Sequence, residues 1–213
     1  MTAPMPRRGL LDSLLSVADE GLRTLFAPSR SSRALPLPPD PPMTEPEKRH
    51  IAGLIRVDHA GEVAAQGLYR GQALLSRHDA TRELLRRAAR EEGDHLAWCE
   101  RRLSELGARP SYLNPLWYAG SLTIGALAGA LGDELSLGFV SETERQVEGH
   151  LAAHLERLPV ADVRSRQILQ QMKSDELAHG QAASTQGGTE LPPPLPWLMR
   201  SVARIMTGTA YWI

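Results

Sequence analysis

The chain has 213 residues, of which 42% are hydrophobic and 23% are charged, enough for one domain with a substantial core. Its formal net charge of −1 and its 5% aromatic content argue against a nucleic-acid-binding surface, so we expect no nucleic-acid partner. The single cysteine, Cys99, excludes a disulfide scaffold and a cysteine-rich zinc module, and it is typical of a reducing compartment.

Residues 9–27 are predicted to form an amphipathic helix, because their leucines recur at helical spacing around a narrow polar face. The basic pair Arg7 and Arg8 precedes this stretch, as basic residues precede the apolar part of a secretory signal. Asp12 interrupts the apolar run soon afterwards, so no signal peptide is predicted. We therefore expect an intracellular protein.

Proline-rich sequence separates this helix from the rest of the chain. Seven of the nineteen residues from 28 to 46 are proline, which predicts an extended linker. Thr44 then fits the N-cap of a new helix, with Glu47 placed to complete a capping box, so the compact part is expected to begin near Thr44. We accordingly divide the chain into an N-terminal helix and linker, residues 1–46, and a compact domain, residues 47–213.

Helical periodicity, without strand-like alternation, continues from there to the C-terminus. Gly107 is predicted to end one helix, and Asn114 and Pro115 to begin another. Short connections make helices antiparallel, so we expect an all-α fold, a four-helix bundle with an additional amphipathic helix at each end. The predicted bundle helices cover residues 45–78, 81–106, 114–158 and 161–183, and the C-terminal amphipathic segment covers residues 197–213.

Residues 116–132 contain no charged side chain. Seventeen uncharged residues are at the short edge of a membrane span, and Asp133 and Glu134 follow at once. We expect instead a helix that is buried on one side and contacts lipid on the other.

The spacing Glu-x-x-His occurs three times, beginning at Glu47, Glu92 and Glu176. On a helix this spacing puts a carboxylate and an imidazole on one face, where both can bind the same metal ion. Three occurrences exceed what chance predicts, but one of them can still arise by chance, so the position of each motif within its helical hairpin has to discriminate between them.

Residues that are equidistant from the turn of an antiparallel hairpin lie at the same level. Glu62 and Glu92 are nearly equidistant from the predicted turn between the first two bundle helices, so they lie at the same level. Glu144 and Glu176 are placed in the same way about the predicted turn between the last two. Glu47 has no such partner, and it already has a capping role. Each of two hairpins therefore carries a single Glu on its first helix and Glu-x-x-His on its second.

Four carboxylates that meet in an apolar core need cations to offset their charge. Two divalent ions neutralise four Glu, and mixed oxygen and nitrogen ligands suit iron or manganese. Glu142 and Glu148 compete with Glu144 for the third-helix position, and the match to the turn favours Glu144. The six predicted metal ligands are Glu62, Glu92, His95, Glu144, Glu176 and His179.

Three further polar residues lie near the predicted ligands in sequence. His150 and His154 are four residues apart and could hold zinc, but they lie well off the face that carries Glu144. His150 is instead expected to support the centre from outside the ligand set. Asp58, one turn before Glu62, is predicted to accept the free N–H of a ligating imidazole.

These motifs together resemble those of a known family. Residues 56–62, RVDHAGE, resemble the signature of the bacterial di-iron demethoxyubiquinone hydroxylases of ubiquinone biosynthesis. Residues 91–95 (EEGDH) and 175–179 (DELAH) resemble the motifs of that family's second and fourth helices, and residues 139–150 are similar to its third. The resemblance covers about residues 47–213, and it implies a ferritin-like bundle, two iron ions and the same six ligands.

The family resemblance also implies an activity, a substrate and a location. The expected enzyme is a monooxygenase that inserts one oxygen atom of O₂ into the ring of a polyprenyl demethoxyubiquinol. It would be a peripheral protein on the cytoplasmic face of the bacterial cell membrane, and a homo-oligomer or an accessory lipid-binding partner stays open. The alternatives are a ferritin-like iron-binding protein or ferroxidase and a di-manganese protein that consumes peroxide.

Overall fold

The computed structural model describes residues 9–35, 38–40 and 42–213, so the expectation about Arg7 and Arg8 falls outside the described residues. All regular elements within these ranges are α-helices, which confirms the all-α prediction. The helices are α1 (Leu10–Phe26), α2 (Glu45–Leu75), α3 (Asp79–Glu105), α4 (Asn114–Leu131), α5 (Asp133–Arg157), α6 (Val163–Thr185) and α7 (Pro194–Ala210).

The bundle consists of two helical hairpins, α2 with α3 and α5 with α6. Local sequence signals mark the start of α2 and the end of α3. The Oγ1 of Thr44 accepts a hydrogen bond from the backbone N–H of Glu47, whose carboxylate accepts one from the backbone N–H of Thr44, so the predicted capping box is confirmed. Gly107 follows α3 with a φ of 69°, a left-handed conformation that favours glycine and that confirms the predicted stop.

The prediction of a single helix from residue 114 to 158 is wrong, because Gly132 divides it into α4 and α5. Gly132 has a φ of 119°, which an L side chain rarely adopts. The carboxylate of Asp133, directly after it, accepts hydrogen bonds from the backbone N–H groups of Arg77 at 2.9 Å and His78 at 2.8 Å. The turn between α2 and α3 therefore holds the start of α5.

Helix α4 lies outside the four-helix bundle and packs on α2 through glycines. Gly67 and Gly71 of α2 face α4, and Gly125 and Gly129 of α4 face α2, so that a Cβ atom on any of them would overlap the other helix's backbone. The outer face of α4 is exposed and apolar, as expected for residues 116–132. Its exposed large side chains include those of Leu116, Ile124, Leu127 and Leu131.

Two apolar layers fill the bundle, one on each side of a polar level. One layer includes Ile55, Cys99, Leu151 and Met172. The other includes Leu68, Ala88, Val140 and Ala183. Each of the four bundle helices contributes one residue to each list, and the predicted metal ligands lie between those two residues in every helix.

The proline-rich segment before α2, predicted to be a linker, contacts the bundle in its described part. The backbone N–H of Ser29 donates to Glu100 of α3 at 2.9 Å. The guanidinium of Arg102 donates to Asp40 at 2.7 Å. We call residues 29–33, which lie along α3, the strap.

Candidate metal centre

The six predicted ligands meet at the polar level of the bundle, and their side chains are buried or nearly so. They form two groups, in each of which one ligand atom per residue lies within 4.8 Å of all the others. Glu92 and Glu176 belong to both groups, as carboxylates that bridge two ions would. The first group is Glu62, Glu92, His95 and Glu176, and the second is Glu92, Glu144, Glu176 and His179.

Both imidazoles turn Nδ1 towards this cluster. The Nδ1 atom of His95 lies 2.9 Å from Oε2 of Glu92 and 3.2 Å from Oε1 of Glu176. The Nδ1 atom of His179 lies 3.0 Å from Oε1 of Glu92. In each ring, Nδ1 is therefore the nitrogen that is available to a metal ion, and Nε2 points away from the cluster.

The outward nitrogens meet two carboxylates that the sequence analysis missed. Nε2 of His95 lies 2.9 Å from Oδ2 of Asp175, and Nε2 of His179 lies 2.6 Å from Oε2 of Glu91. A carboxylate that accepts the Nε2–H fixes the ring's orientation and makes Nδ1 a stronger ligand. Asp175 directly precedes Glu176 but contacts His95, and Glu91 directly precedes Glu92 but contacts His179. An acidic residue before the Glu of both Glu-x-x-His motifs is therefore the sequence signal that could have indicated these contacts.

Asp58 does not have the role that the sequence predicted for it. Its Oδ1 lies 2.8 Å from Nδ1 of His154 and 3.8 Å from Nε2 of His150, whereas the imidazoles of the centre use Asp175 and Glu91. His150 therefore contacts Asp58 and supports no ligand directly. Burial, chiefly, lowers the pKa of His150 to about 4. His150 and His154 line a separate cavity of about 420 Å³.

Unsatisfied atoms at the centre fit a pair of cations. Oε1 of Glu92, Oε1 of Glu144 and Nδ1 of His179 are buried and make no hydrogen bond. Oε1 of Glu92 and Nδ1 of His179 are only 3.0 Å apart, but they are not aligned as a hydrogen bond. Buried polar atoms without partners are costly, and two divalent ions at this level would satisfy them. The donor set of carboxylates and imidazoles suits iron or manganese.

The protonation of the cluster shows how it is stabilised without cations. Burial and neighbouring carboxylates raise the pKa values of Glu62 and Glu144 well above the usual value for glutamate. Burial opposes ionisation of Glu92 too, but the imidazoles of His95 and His179 outweigh it and lower the pKa of Glu92. The surrounding carboxylates in turn outweigh burial at both imidazoles and raise the pKa of His179 to about 12. Protons and metal ions would therefore compete for the same buried groups.

Comparison with known proteins identifies the family. The family model described as "Ubiquinone biosynthesis protein COQ7" matches residues 49–210. A protein of Bordetella petrii named 3-demethoxyubiquinol 3-hydroxylase is 57% identical over 210 residues, 97% of this chain and 93% of that relative.

Two further relatives carry the same name. That of Burkholderia vietnamiensis is 54% identical over 207 residues, 96% of this chain and all of the relative. That of Nitrosomonas europaea is 55% identical over 205 residues, 95% of this chain and 99% of the relative. The resemblance seen in the motifs is thus confirmed over nearly the whole length, and the chain belongs to the COQ7 family of ubiquinone biosynthesis proteins.

Proposed function

We propose that this chain is a di-iron monooxygenase that inserts one oxygen atom of O₂ into the ring of a polyprenyl demethoxyubiquinol. The name shared by the relatives supports the hydroxylation and its substrate. The observation that carries the metal assignment is the buried set of four Glu and two His, divided into two groups that share Glu92 and Glu176. In the overall reaction a ring C–H becomes C–OH, and a reductant supplies two electrons and two protons so that the second oxygen atom leaves as water.

When bound, two iron ions would supply the activation of O₂. The chain's own contribution is to hold and orient the ligands and to keep bulk water away. His95 and His179 present Nδ1 to the centre because Asp175 and Glu91 engage Nε2. The apolar layers on either side exclude water, which strengthens the electrostatic interactions between the carboxylates and the ions.

A cavity between α5 and α6 gives small molecules a route to this centre. Its volume is about 330 Å³, within the usual range of small-molecule pockets, and Glu144 and Glu176 form part of its wall. Gly180 also lines it, and a Cβ atom at that position would lie 3.3 Å from the side chain of Glu144. The absence of a side chain at residue 180 therefore keeps space beside a proposed ligand.

We also propose that α1, α4 and α7 together form a membrane-binding surface on the cytoplasmic face of the cell membrane. Helix α4 adjoins both of the others, since Tyr118 contacts Gly21 of α1 and Trp117 packs near Ala210 of α7. The described helices include none that is long and apolar enough to cross a bilayer. The outward apolar side chains include Leu11, Leu15, Phe26, Leu127, Leu131, Trp197, Val202 and Ile205.

Vesicle flotation tests this surface with two matched substitutions. We expect Leu127→Glu to reduce binding to vesicles of phosphatidylethanolamine and phosphatidylglycerol, because it places a charge on the exposed face of α4. Val160→Glu is the control, since Val160 is also exposed and apolar but lies in the turn between α5 and α6. Equal flotation of the two variants and the unmodified chain would contradict the assignment of this surface.

Single-turnover oxidation tests the reaction itself. The iron-loaded protein is reduced without oxygen, mixed with a demethoxyubiquinol and exposed to ¹⁸O₂. We expect a product that has gained one oxygen atom, carrying ¹⁸O. Glu176→Ala should abolish the product, whereas Glu47→Ala, which removes only the carboxylate of the capping box, should retain it. Rapid consumption of hydrogen peroxide without quinol, and no hydroxylated product, would favour the di-manganese alternative.

A further inference from the structure

Arg33 of the strap binds two carboxylates beside the metal centre. Its Nη2 donates to Oδ2 of Asp175 at 2.7 Å, and its Nε donates to Oδ2 of Asp94 at 2.9 Å. The guanidinium also lies over the ring of Trp98, 5.0 Å from its centroid. These contacts join α3 to α6 through a residue that lies outside the bundle in sequence. The strap thus contacts the outer edge of the centre.

The contact with Asp175 leads directly to a proposed ligand. The oxygen that accepts from Arg33 is the same Oδ2 that lies 2.9 Å from Nε2 of His95. The other oxygen of Asp175 accepts from Nε2 of Gln171 at 3.0 Å. Both oxygens of Asp175 are therefore held, and the ring of His95, which has no exposed surface, is oriented through a carboxylate that Arg33 anchors.

The equivalent carboxylate in the other half lacks this support. Glu91 engages Nε2 of His179, but its side chain is 42% exposed, compared with 17% for Asp175. Within the described ranges, no Arg or Lys forms an ion pair with Glu91. The two halves of the centre therefore repeat the same ligand arrangement but differ in how firmly the acid behind each imidazole is fixed.

We propose that Arg33 is a positioning residue that fixes Asp175, and through it His95, so that the strap makes the two metal positions unequal. The ion that His95 binds should be released more slowly than the ion that His179 binds. This inference rests on the proposed function, because it requires two bound irons. It assigns a role to a segment that precedes the bundle.

Iron release to a chelator measures this difference without reference to activity. The reduced, iron-loaded chain is mixed with ferrozine without oxygen, and we expect two kinetic phases of equal amplitude. Arg33→Ala should accelerate the slow phase about tenfold, the lower end of the effect of removing a partner behind a metal ligand. Arg33→Lys should release the slow-phase iron more slowly than Arg33→Ala does, because an ammonium keeps the charge but lacks the bidentate geometry of the guanidinium. Arg30→Ala is the matched control, since Arg30 is an exposed residue of the same strap.

A second substitution separates positioning from general stabilisation. Glu91→Ala should accelerate only the fast phase, because it removes the acid behind His179. Release from Arg33→Ala at the rate of the unmodified chain would overturn the inference. So would an equal acceleration of both phases, accompanied by a lower unfolding temperature of the metal-free protein and no recovery in Arg33→Lys. An unmodified chain that binds no iron would instead contradict the proposed function, and this inference with it.

Discussion

Binding of iron should release protons from the cluster, because protons and cations compete for the same buried charges. The perturbation is the addition of two equivalents of Fe²⁺ to the metal-free protein near neutral pH, without oxygen. The groups whose pKa values are raised favour their protonated forms in the metal-free protein, and a metal ligand has to give its proton up. Those groups are Glu62, His95, Glu144 and His179.

The magnitude follows from counting these groups. Each of the four can release one proton, whereas Glu92 and Glu176, whose pKa values are lowered, are already ionised and release none. The upper bound is thus four protons per chain, equal to the charge that two Fe²⁺ ions bring. Affinity should fall as the pH falls, by about tenfold per pH unit for each proton released. Since the pKa of His179 is about 12, the proton that His179 gives up contributes to this pH dependence across the whole neutral range.

Calorimetry in two buffers of different ionisation enthalpy measures the number of protons directly. Glu47→Gln should leave that number unchanged, because Glu47 lies at the exposed start of α2 and not in the cluster. Binding of two irons with release of less than one proton per chain would refute the reasoning. In that case the ions would occupy carboxylates that are already ionised, and the buried cluster would not be the site.

Five substitutions test individual features. Glu176→Ala or His179→Ala should abolish iron loading and turnover together, and loss of turnover with both irons retained would show that these side chains are not ligands. Glu47→Ala should lower the free energy of unfolding only slightly, measured by urea denaturation, because Thr44 still accepts from the backbone N–H of residue 47, and iron content should be unchanged. Gly125→Ala should lower it by about 1–3 kcal/mol, because a Cβ atom there meets the backbone of α2. Gly120→Ala, at an open position in the same helix, should not destabilise the protein.

The close approach of α4 to α2 and the break at Gly132 were not predictable from local pattern. The apolar residues from 116 to 132 and the helical sequence after them give one continuous periodic signal. Asp133 favours the first turn of a helix, but glycine is tolerated inside a helix, so the local signal at Gly132 does not decide the break. Only the contact of Asp133 with the turn between α2 and α3 shows why the chain breaks there. The sequence pattern therefore predicts one bundle helix where the structure has a helix outside the bundle, α4, followed by a bundle helix, α5.

Sequence alone predicted most of the helical segments, the capping box at Thr44, the stop at Gly107 and the six residues that meet at the polar level, because these depend on geometry that repeats locally. A spacing of three places Glu92 and His95 on one face, and equal distance from a turn brings Glu62 level with Glu92. Tertiary structure decided what lies around the centre. Three kinds of contact join elements that are far apart in sequence and share no repeating pattern. They are the contacts of the imidazoles with Asp175 and Glu91, that of Asp58 with His154, and that of Arg33 with Asp175, 142 residues away. Such contacts leave no pattern in the sequence because they depend on how separate helices and the strap pack together.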